Sequence, residues 1–297
     1  MSDHPSHLLA KAAAYLDRPD EERINYIRSP RWIGYDAANS ILDRLESLLT
    51  HPKTHRMPNL LIVGNTNNGK TMLVKRFCSR HPPEDNKEGQ SFVVPVLFVQ
   101  APPVPDEGRF YNAILDLLFA PYKPSDRVDR KQFQAIKLMR EVGLRMLIID
   151  EVQHILAGNL TRQRTFLNVI KFLGNELEIP IVGVGTKDAF RALQTDTQLA
   201  NRFDHAKLPR WKNGDDFIRL LMTFEQMLPL RKPSMLDEPV LADRIYSMSE
   251  GYIGEISRLL VEAAVAAVKT GKESIDKRLL ESIGWVAPSD RRKQPEV

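Results

Sequence analysis

Eight consecutive residues, Gly64-Asn65-Thr66-Asn67-Asn68-Gly69-Lys70-Thr71, match the pattern G-x-x-x-x-G-K-[ST] in full. Each residue type suits the holding of a nucleoside triphosphate. The two glycines allow a tight loop whose backbone N–H groups face phosphate oxygens. Lys70 brings a positive charge to the β- and γ-phosphates, and Thr71 offers its hydroxyl to Mg²⁺. Met72 carries the cradle into the helix that the motif opens. The expected cofactors are ATP and Mg²⁺.

Three further segments could work with that loop. Met146-Leu147-Ile148-Ile149-Asp150-Glu151 is an apolar run that ends in two acids. Asp150 suits a place in the metal shell. Glu151 suits a general base that polarises the attacking water, which points to hydrolysis rather than nucleotide storage. Ile181-Val182-Gly183-Val184-Gly185-Thr186 is another apolar run with a small polar residue at its end. In a doubly wound sheet Thr186 would lie beside the γ-phosphate as a sensor. Gly-Thr after a strand is equally an ordinary helix entry. In Ala200-Asn201-Arg202-Phe203-Asp204, Arg202 stands just before a short strand. It reads either as a surface ion-pair partner or as an arginine finger offered to a neighbour's γ-phosphate.

Such a site needs a frame. Asn59–Val63, Val93–Val99, Met146–Ile149, Ile181–Val184 and, more weakly, Phe203–Leu208 read as buried strands. Helical periodicity fills 36–50, 107–119, 131–142, 161–177 and 187–194 between them. Strands alternating with helices predict an α/β fold, a P-loop NTPase with a doubly wound parallel sheet. After Pro209 the pattern is helical only, over 213–228, 237–248, 254–269 and 275–284. The expected organisation is an N-terminal helical extension at 1–30, an α/β nucleotide-binding core at 31–210, a helical lid at 211–287 and a disordered basic tail at 288–297. His81, His154 and His205 show no metal-ligand spacing with one another or with Cys78. Trp32 and Trp211 read as core or interface aromatics.

Composition narrows the class. The 297 residues are 42% apolar, with a net charge of +4 and a single cysteine. One cysteine excludes an internal disulfide and a zinc site built on cysteines. No run reaches the roughly 18 apolar residues of a membrane span, and the N-terminus lacks the pattern of a secretory signal. A cytoplasmic protein without a membrane partner is expected. The mild positive charge permits a nucleic-acid partner without demanding one.

Taken together, these motifs resemble those of the AAA+ ATPases. Arg31-Trp32-Ile33-Gly34-Tyr35, followed by Arg56-Met57-Pro58-Asn59-Leu60-Leu61-Ile62-Val63-Gly64 and Asn68-Gly69-Lys70-Thr71, looks like the TniB family, relatives of TnsC and MuB. These are ATPase target-selection subunits of transposons that also encode a DDE transposase. The resemblance spans roughly residues 20–285. It implies that Ile33 and Gly34 lie against the adenine, that Thr186 senses the γ-phosphate, and that Arg202 acts in trans within a homo-oligomer, a ring or a helical filament. Gly254-Glu255-Ile256-Ser257-Arg258 is similar to a sensor-2 box, with Arg258 one residue later than the usual G-x-x-R. The family also implies duplex DNA as a partner, tracked along its backbone with little base readout, besides a transposase and a target-selector protein. Arg109, Lys123, Arg127, Arg130, Lys131, Arg162 and Arg164 are the candidate phosphate contacts, each of them alone reading as a solvated charge. The expected activity is ATP-gated assembly on target DNA, reset by hydrolysis. A replication-initiator or loader-like AAA+ ATPase and a non-cycling ATP-locked scaffold are the other readings.

Overall fold

The computed structural model describes residues 7–85, 92–194, 197–291 and 293. Two helices come first, α1 (Ala10–Ala13) and α2 (Asp20–Arg28), then α3 (Asp36–Leu49). β1 (Asn59–Gly64) leads into α4 (Lys70–Arg80). A small ribbon of β2 (Glu84–Asp85) and β3 (Phe92–Val93) precedes β4 (Val96–Gln100). α5 (Glu107–Leu117) and α6 (Val128–Glu141) lead to β5 (Met146–Asp150). A 3-10 turn (Val152–Ala157) and α7 (Leu160–Leu177) lead to β6 (Ile181–Gly185). α8 (Lys187–Gln194) and α9 (Thr197–Ala200) lead to β7 (Phe203–Leu208). Five helices follow: α10 (Asp215–Met227), α11 (Pro239–Ser249), α12 (Ile253–Lys269), α13 (Lys277–Ser282) and α14 (Pro288–Arg291).

The main sheet has the order β4-β5-β6-β1-β7, and every pairing in it is parallel. All residues of β5 and β6 are buried, which is why these strands are continuously apolar rather than alternating. β1 lies between β6 and β7, so the chain crosses from β1 to β4 on one side and passes over β1 again between β6 and β7, which makes the carboxyl end of β1 the place where a doubly wound sheet sets its ligand loops. At its amino end, the buried Asn59 side chain accepts the Ile181 N–H at 2.8 Å and so fixes the start of β6. Leu61, Val99, Ile149 and Ile181 from the sheet pack with Phe110, Ile114, Phe166 and Leu173 from the helices.

The strand expected over 93–99 is divided. Pro95 has no N–H for a ladder, and it separates β3 in the ribbon from β4 in the main sheet. The Pro95 carbonyl still accepts the N–H groups of Arg145 and Met146 at 3.0 and 3.1 Å, and so leads β5 into place.

The chain forms two compact units, Asp36–Pro209 and a second made of Met1–Tyr35 with Arg210–Val297. The N-terminal segment therefore does not stand apart. Ile27 and Ile33 enter the same core as Phe217, Leu221, Ile245, Ile256 and Leu260. Arg31–Tyr35, expected in the nucleotide-binding core, belongs to this helical unit too. Among the described residues no strand follows β7, in line with the helical periodicity. Pro288–Arg291, expected in a disordered tail, forms a helical turn whose Arg291 pairs with Glu255. Arg292 and residues 294–297 lie outside the described residues.

One buried ion pair ties the two ends of the helical unit. Arg23 is 1% exposed and holds Glu273 in a two-pronged contact at 2.9 and 2.6 Å. It also donates to the Pro229 carbonyl at 2.9 Å. Burial pushes the Glu273 carboxyl up, but the bonds from Arg23 and the Arg231 N–H outweigh it, and the group sits below its ordinary value. The stabilisation it gives is present above the unfolded carboxyl value of 4.5 and is lost as pH falls through the lower folded value. Glu273→Gln leaves the arginine with the exposed Asp20 carboxylate, at 3.1 Å, as its remaining counter-charge. It should lower stability by about 2 kcal/mol at neutral pH, and the difference from wild type should shrink below about pH 4. Denaturant titrations at both pH values measure this. Equal stability at pH 7 would remove the pair from the list of what holds the unit together.

Candidate active site

The phosphate-binding loop is built where β1 ends and α4 begins. Two of its residues take left-handed backbone, Asn67 at φ 59° and Gly69 at φ 81°. Asparagine and glycine are the types that tolerate this conformation, which turns successive N–H groups toward one side. Lys70, 8% exposed, folds back over the loop and donates to the carbonyls of Gly64 and Asn65 at 2.9 and 2.8 Å. Burial lowers its pKa, against the opposing charges of Glu151 and Asp150. Asn68 is buried, and its amide donates to the carbonyls of Leu208 and Pro209 at 2.8 and 2.9 Å. This anchors the loop to the end of β7, a contact between segments 140 residues apart that the motif does not advertise. Thr66 and Asn67 are exposed at the tip, and Met72 sits 40% exposed in the first turn of α4.

The acids arrive from β5. The Thr71 hydroxyl donates to Asp150 Oδ2 at 3.0 Å, so the two groups expected to serve the metal are already neighbours. Burial raises the Asp150 pKa. The Glu151 N–H and the Thr71 hydroxyl work against that, and the Glu151 charge adds to it. Among the described residues there is no cluster of three or more His, Cys, Asp or Glu side chains suited to hold a metal. A magnesium ion on nucleotide phosphates does not require one, since it is held through one or two protein oxygens, phosphates and water. The Thr71–Asp150 oxygen pair fits that chemistry.

Glu151 turns out of the strand in left-handed backbone, φ 56° and ψ 38°. A non-glycine residue there is uncommon and needs support from its surroundings. Its N–H is held by Asp150 Oδ1 at 2.9 Å. Its carboxylate accepts a hydrogen bond from the Gln153 amide, and Gln153 Oε1 in turn accepts the Thr186 N–H at 3.1 Å. The sheet thus brings Lys70, Thr71, Asp150, Glu151 and Thr186 to one edge, through the register that aligns Ile149 with Gly183 and Val63 with Gly185. Gln153 was not among the expected site residues, although its place two residues after the acid pair was in plain view.

Arg202 lies elsewhere in the unit that holds the phosphate loop, while Ile33, Gly34 and Arg258 belong to the helical unit. Arg202 precedes β7 at the opposite, amino-terminal edge of the sheet, where its backbone carbonyl accepts the Asn59 N–H at 3.0 Å. Its guanidinium donates to Asn175 Oδ1 at 2.7 Å. The length of β1, at about 3.3 Å per residue, separates it from the phosphate loop of its own chain. Ile33 is buried in the helical unit and Gly34 is exposed. Arg258 lies on α12, donates to Glu262 at 2.9 Å and stands over the Trp285 ring at 5.1 Å.

The helix starts that carry most of the candidate phosphate contacts lie close to one another. Pro105, just before α5, packs on Gly158, just before α7, so close that a Cβ at Gly158 would lie 3.0 Å from the proline ring. Gly108 in the first turn of α5 faces Val128 at the start of α6. The starts of three helices therefore meet, and Arg109, Arg127, Arg130, Arg162 and Arg164, all exposed, lie at or within two turns of those starts. Asp106 and Asn159 cap two of them by accepting the N–H groups of Arg109 and Arg162. Arg127 pairs with Asp129 at 2.9 Å and Arg130 with Asp126 at 3.4 Å, both on the surface. Lys123 is exposed in the preceding loop. Lys131 departs from expectation. It is only 4% exposed and its ammonium donates to the Pro124 carbonyl at 2.8 Å, so it ties down its own loop and has no face to offer a phosphate.

Solved structures share this architecture. The ORC1 protein of Aeropyrum pernix, in complex with DNA, superposes with a TM-score of 0.61 at 15% identity, over 94% of this chain and 70% of that one. Cdc6p of Pyrobaculum aerophilum gives 0.60 at 17%, over 84% and 68%. A RuvB variant from Thermotoga maritima gives 0.52 at 16%, over 90% and 78%. No curated protein matches the chain in sequence. A five-stranded parallel sheet with a phosphate loop at its carboxyl edge and an acid pair on the neighbouring strand end defines an AAA+ P-loop ATPase, a nucleotide-binding enzyme. Within that class the chain belongs to the TniB family: the family model for bacterial TniB protein matches residues 23–213. Among the described residues no helix is long and apolar enough to cross a membrane.

Proposed function

We propose that this ATPase binds duplex DNA when loaded with ATP, assembles on it as an oligomer in the cytoplasm, and presents that DNA to a DDE transposase, with hydrolysis driving disassembly. The observation that carries the reading is the sharing of one sheet edge. The phosphate loop and acid pair lie at the carboxyl ends of β1 and β5, and α5 and α7, which carry Arg109, Arg162 and Arg164, begin just beyond β4 and β5. Cationic side chains at the starts of helices suit phosphate oxygens, because the helix dipole adds to their charge. Family membership and the DNA-bound ORC1 neighbour support nucleic acid as the ligand.

In this reading Lys70 and the loop N–H groups would hold the triphosphate, and Thr71 and Asp150 would hold Mg²⁺, which would supply neutralisation of phosphate charge. Glu151 takes the proton of the attacking water, and Thr186 meets the γ-phosphate end. Arg202, remote from its own loop, serves the site of an adjoining copy, which makes the complete site a property of the oligomer.

The test is imaging and DNA binding by the full chain with a non-hydrolysable ATP analogue, with and without duplex DNA. Ordered assemblies should form only with both, and affinity should fall steeply with salt while ignoring DNA sequence. In the same assay Arg202→Ala should bind nucleotide as wild type does and lose DNA-stimulated hydrolysis. A monomer that hydrolyses ATP at full rate on its own, indifferent to DNA, would reject this reading.

A further inference from the structure

We propose that Gln153 is a positioning residue that sets the Glu151 carboxylate in register with the Thr186 end of β6. The inference rests on the reading of Glu151 as general base and adds a residue to it. Gln153 uses both ends of its carboxamide. Its Nε2 donates to Glu151 Oε2, and its Oε1 accepts the Thr186 N–H at 3.1 Å. The orientation of the amide is dictated by chemistry, since a carboxylate only accepts and a backbone N–H only donates. Glutamine supplies a donor and an acceptor on one short carboxamide without titrating, as this pairing requires.

Three features of the fold hold the carboxamide in that place. The 3-10 turn that carries Gln153 is pinned on either side by the buried Val152 and Ile155. Residue 185 is a glycine lying directly against it. A Cβ at Gly185 would overlap Gln153 Oε1 and lie 2.7 Å from Ala189 Cβ, so the bridge occupies the space a side chain would need. Glu151 itself is in left-handed backbone, a conformation that persists only where its surroundings determine it. The Asp150 carboxylate fixes its N–H, and Gln153 fixes its far end.

The consequence is a link between two strand ends. A displacement of the Thr186 backbone moves the Gln153 carboxamide, and the carboxylate moves with it. Without the bridge the Glu151 side chain is free to rotate away from the position in which it meets water. The binding groups, Lys70, Thr71 and Asp150, make no hydrogen bond to Gln153 among the contacts described. The effect of removing the bridge should therefore fall on turnover and spare binding.

Gln153→Met separates the two roles a glutamine can have. Methionine keeps the length and the packing and makes neither strong hydrogen bond. Steady-state ATPase measurements on the full chain with Mg²⁺ and duplex DNA should show kcat reduced roughly ten- to a hundredfold. Nucleotide Kd and KM should stay within about twofold of wild type, and Tm should hold, because no phosphate contact is lost. Adding Gln153→Met to Glu151→Gln should reduce kcat little further, because the glutamine acts through the glutamate. A kcat equal to wild type overturns the proposal. So does a matched loss of affinity and turnover, an unfolded Gln153→Met chain, or a full further drop in the double variant. If Glu151→Gln alone keeps wild-type turnover, it is the general-base reading that fails, and the two failures are told apart by which single variant stays active.

Discussion

Lys70→Ala should fold normally and fail to hold ATP. In the structure the Lys70 ammonium is nearly enclosed and donates to the carbonyls of Gly64 and Asn65. Those carbonyls belong to the loop itself, so the cation stands inside the cradle with its donors oriented, ready to exchange carbonyl oxygens for phosphate oxygens. Its ordinary pKa is lowered first by burial, while Glu151 and Asp150 pull the other way. An alanine removes the only side-chain cation of the loop and leaves polyphosphate facing N–H groups and two nearby acids. Truncating one partner of an enclosed charge pair costs about 3 kcal/mol, which is roughly a hundredfold in affinity. Titration with a fluorescent ATP analogue reads this directly. The DNA complex should be lost in parallel, since the proposed assembly forms only on the ATP-bound chain. Wild-type DNA affinity in Lys70→Ala would uncouple DNA binding from the nucleotide. Lys70→Arg should restore little, because a planar fork does not replace a compact ammonium at this position.

The site divides by distance along the chain into what the sequence reveals and what it does not. The phosphate loop and the Asp150–Glu151 pair are contiguous, and their residue types are demanded by chemistry, so eight and two adjacent letters suffice. The sheet is readable for a similar reason. Strands buried on both faces must be apolar throughout, and such runs stand out between amphipathic helices. Contacts made through space leave no such trace. Asn68 reaches Leu208 and Pro209, and Arg23 reaches Glu273, 250 residues away. Nothing in the spacing of either pair announces it. Lys131 illustrates the reverse error. Its charge suggests a surface role, but the chain at Pro124 returns over it and supplies a carbonyl, and only the fold shows this. Gln153 is the intermediate case. Its position beside the acid pair is visible, whereas its second partner, the Thr186 N–H, is brought within reach only by the pairing of β5 with β6.

Glu151→Gln should arrest the cycle with the nucleotide bound. The substitution keeps the length of the side chain, and its amide oxygen can still accept the hydrogen bond from Gln153. The groups proposed to bind phosphate and metal are untouched. Asp150 stands to gain, because burial is the main cause of its raised pKa and the Glu151 charge adds to it. Removing that charge favours the ionised Asp150 that Thr71 already contacts. What is lost is an acceptor basic enough to take a proton from water. General-base catalysis is worth roughly 10² to 10⁴ in rate, and kcat should fall by about that factor with nucleotide affinity preserved. The arrested protein separates a cycling ATPase from an ATP-locked scaffold. If hydrolysis resets the assembly, Glu151→Gln loaded with ATP should stay on duplex DNA long after the wild-type chain has released it. If the nucleotide only locks an oligomer, both should dissociate alike. Single-turnover hydrolysis and DNA release, followed on one sample, separate these outcomes. Release at the wild-type rate by a variant that no longer hydrolyses would leave ATP binding, rather than its consumption, as the event that governs the complex.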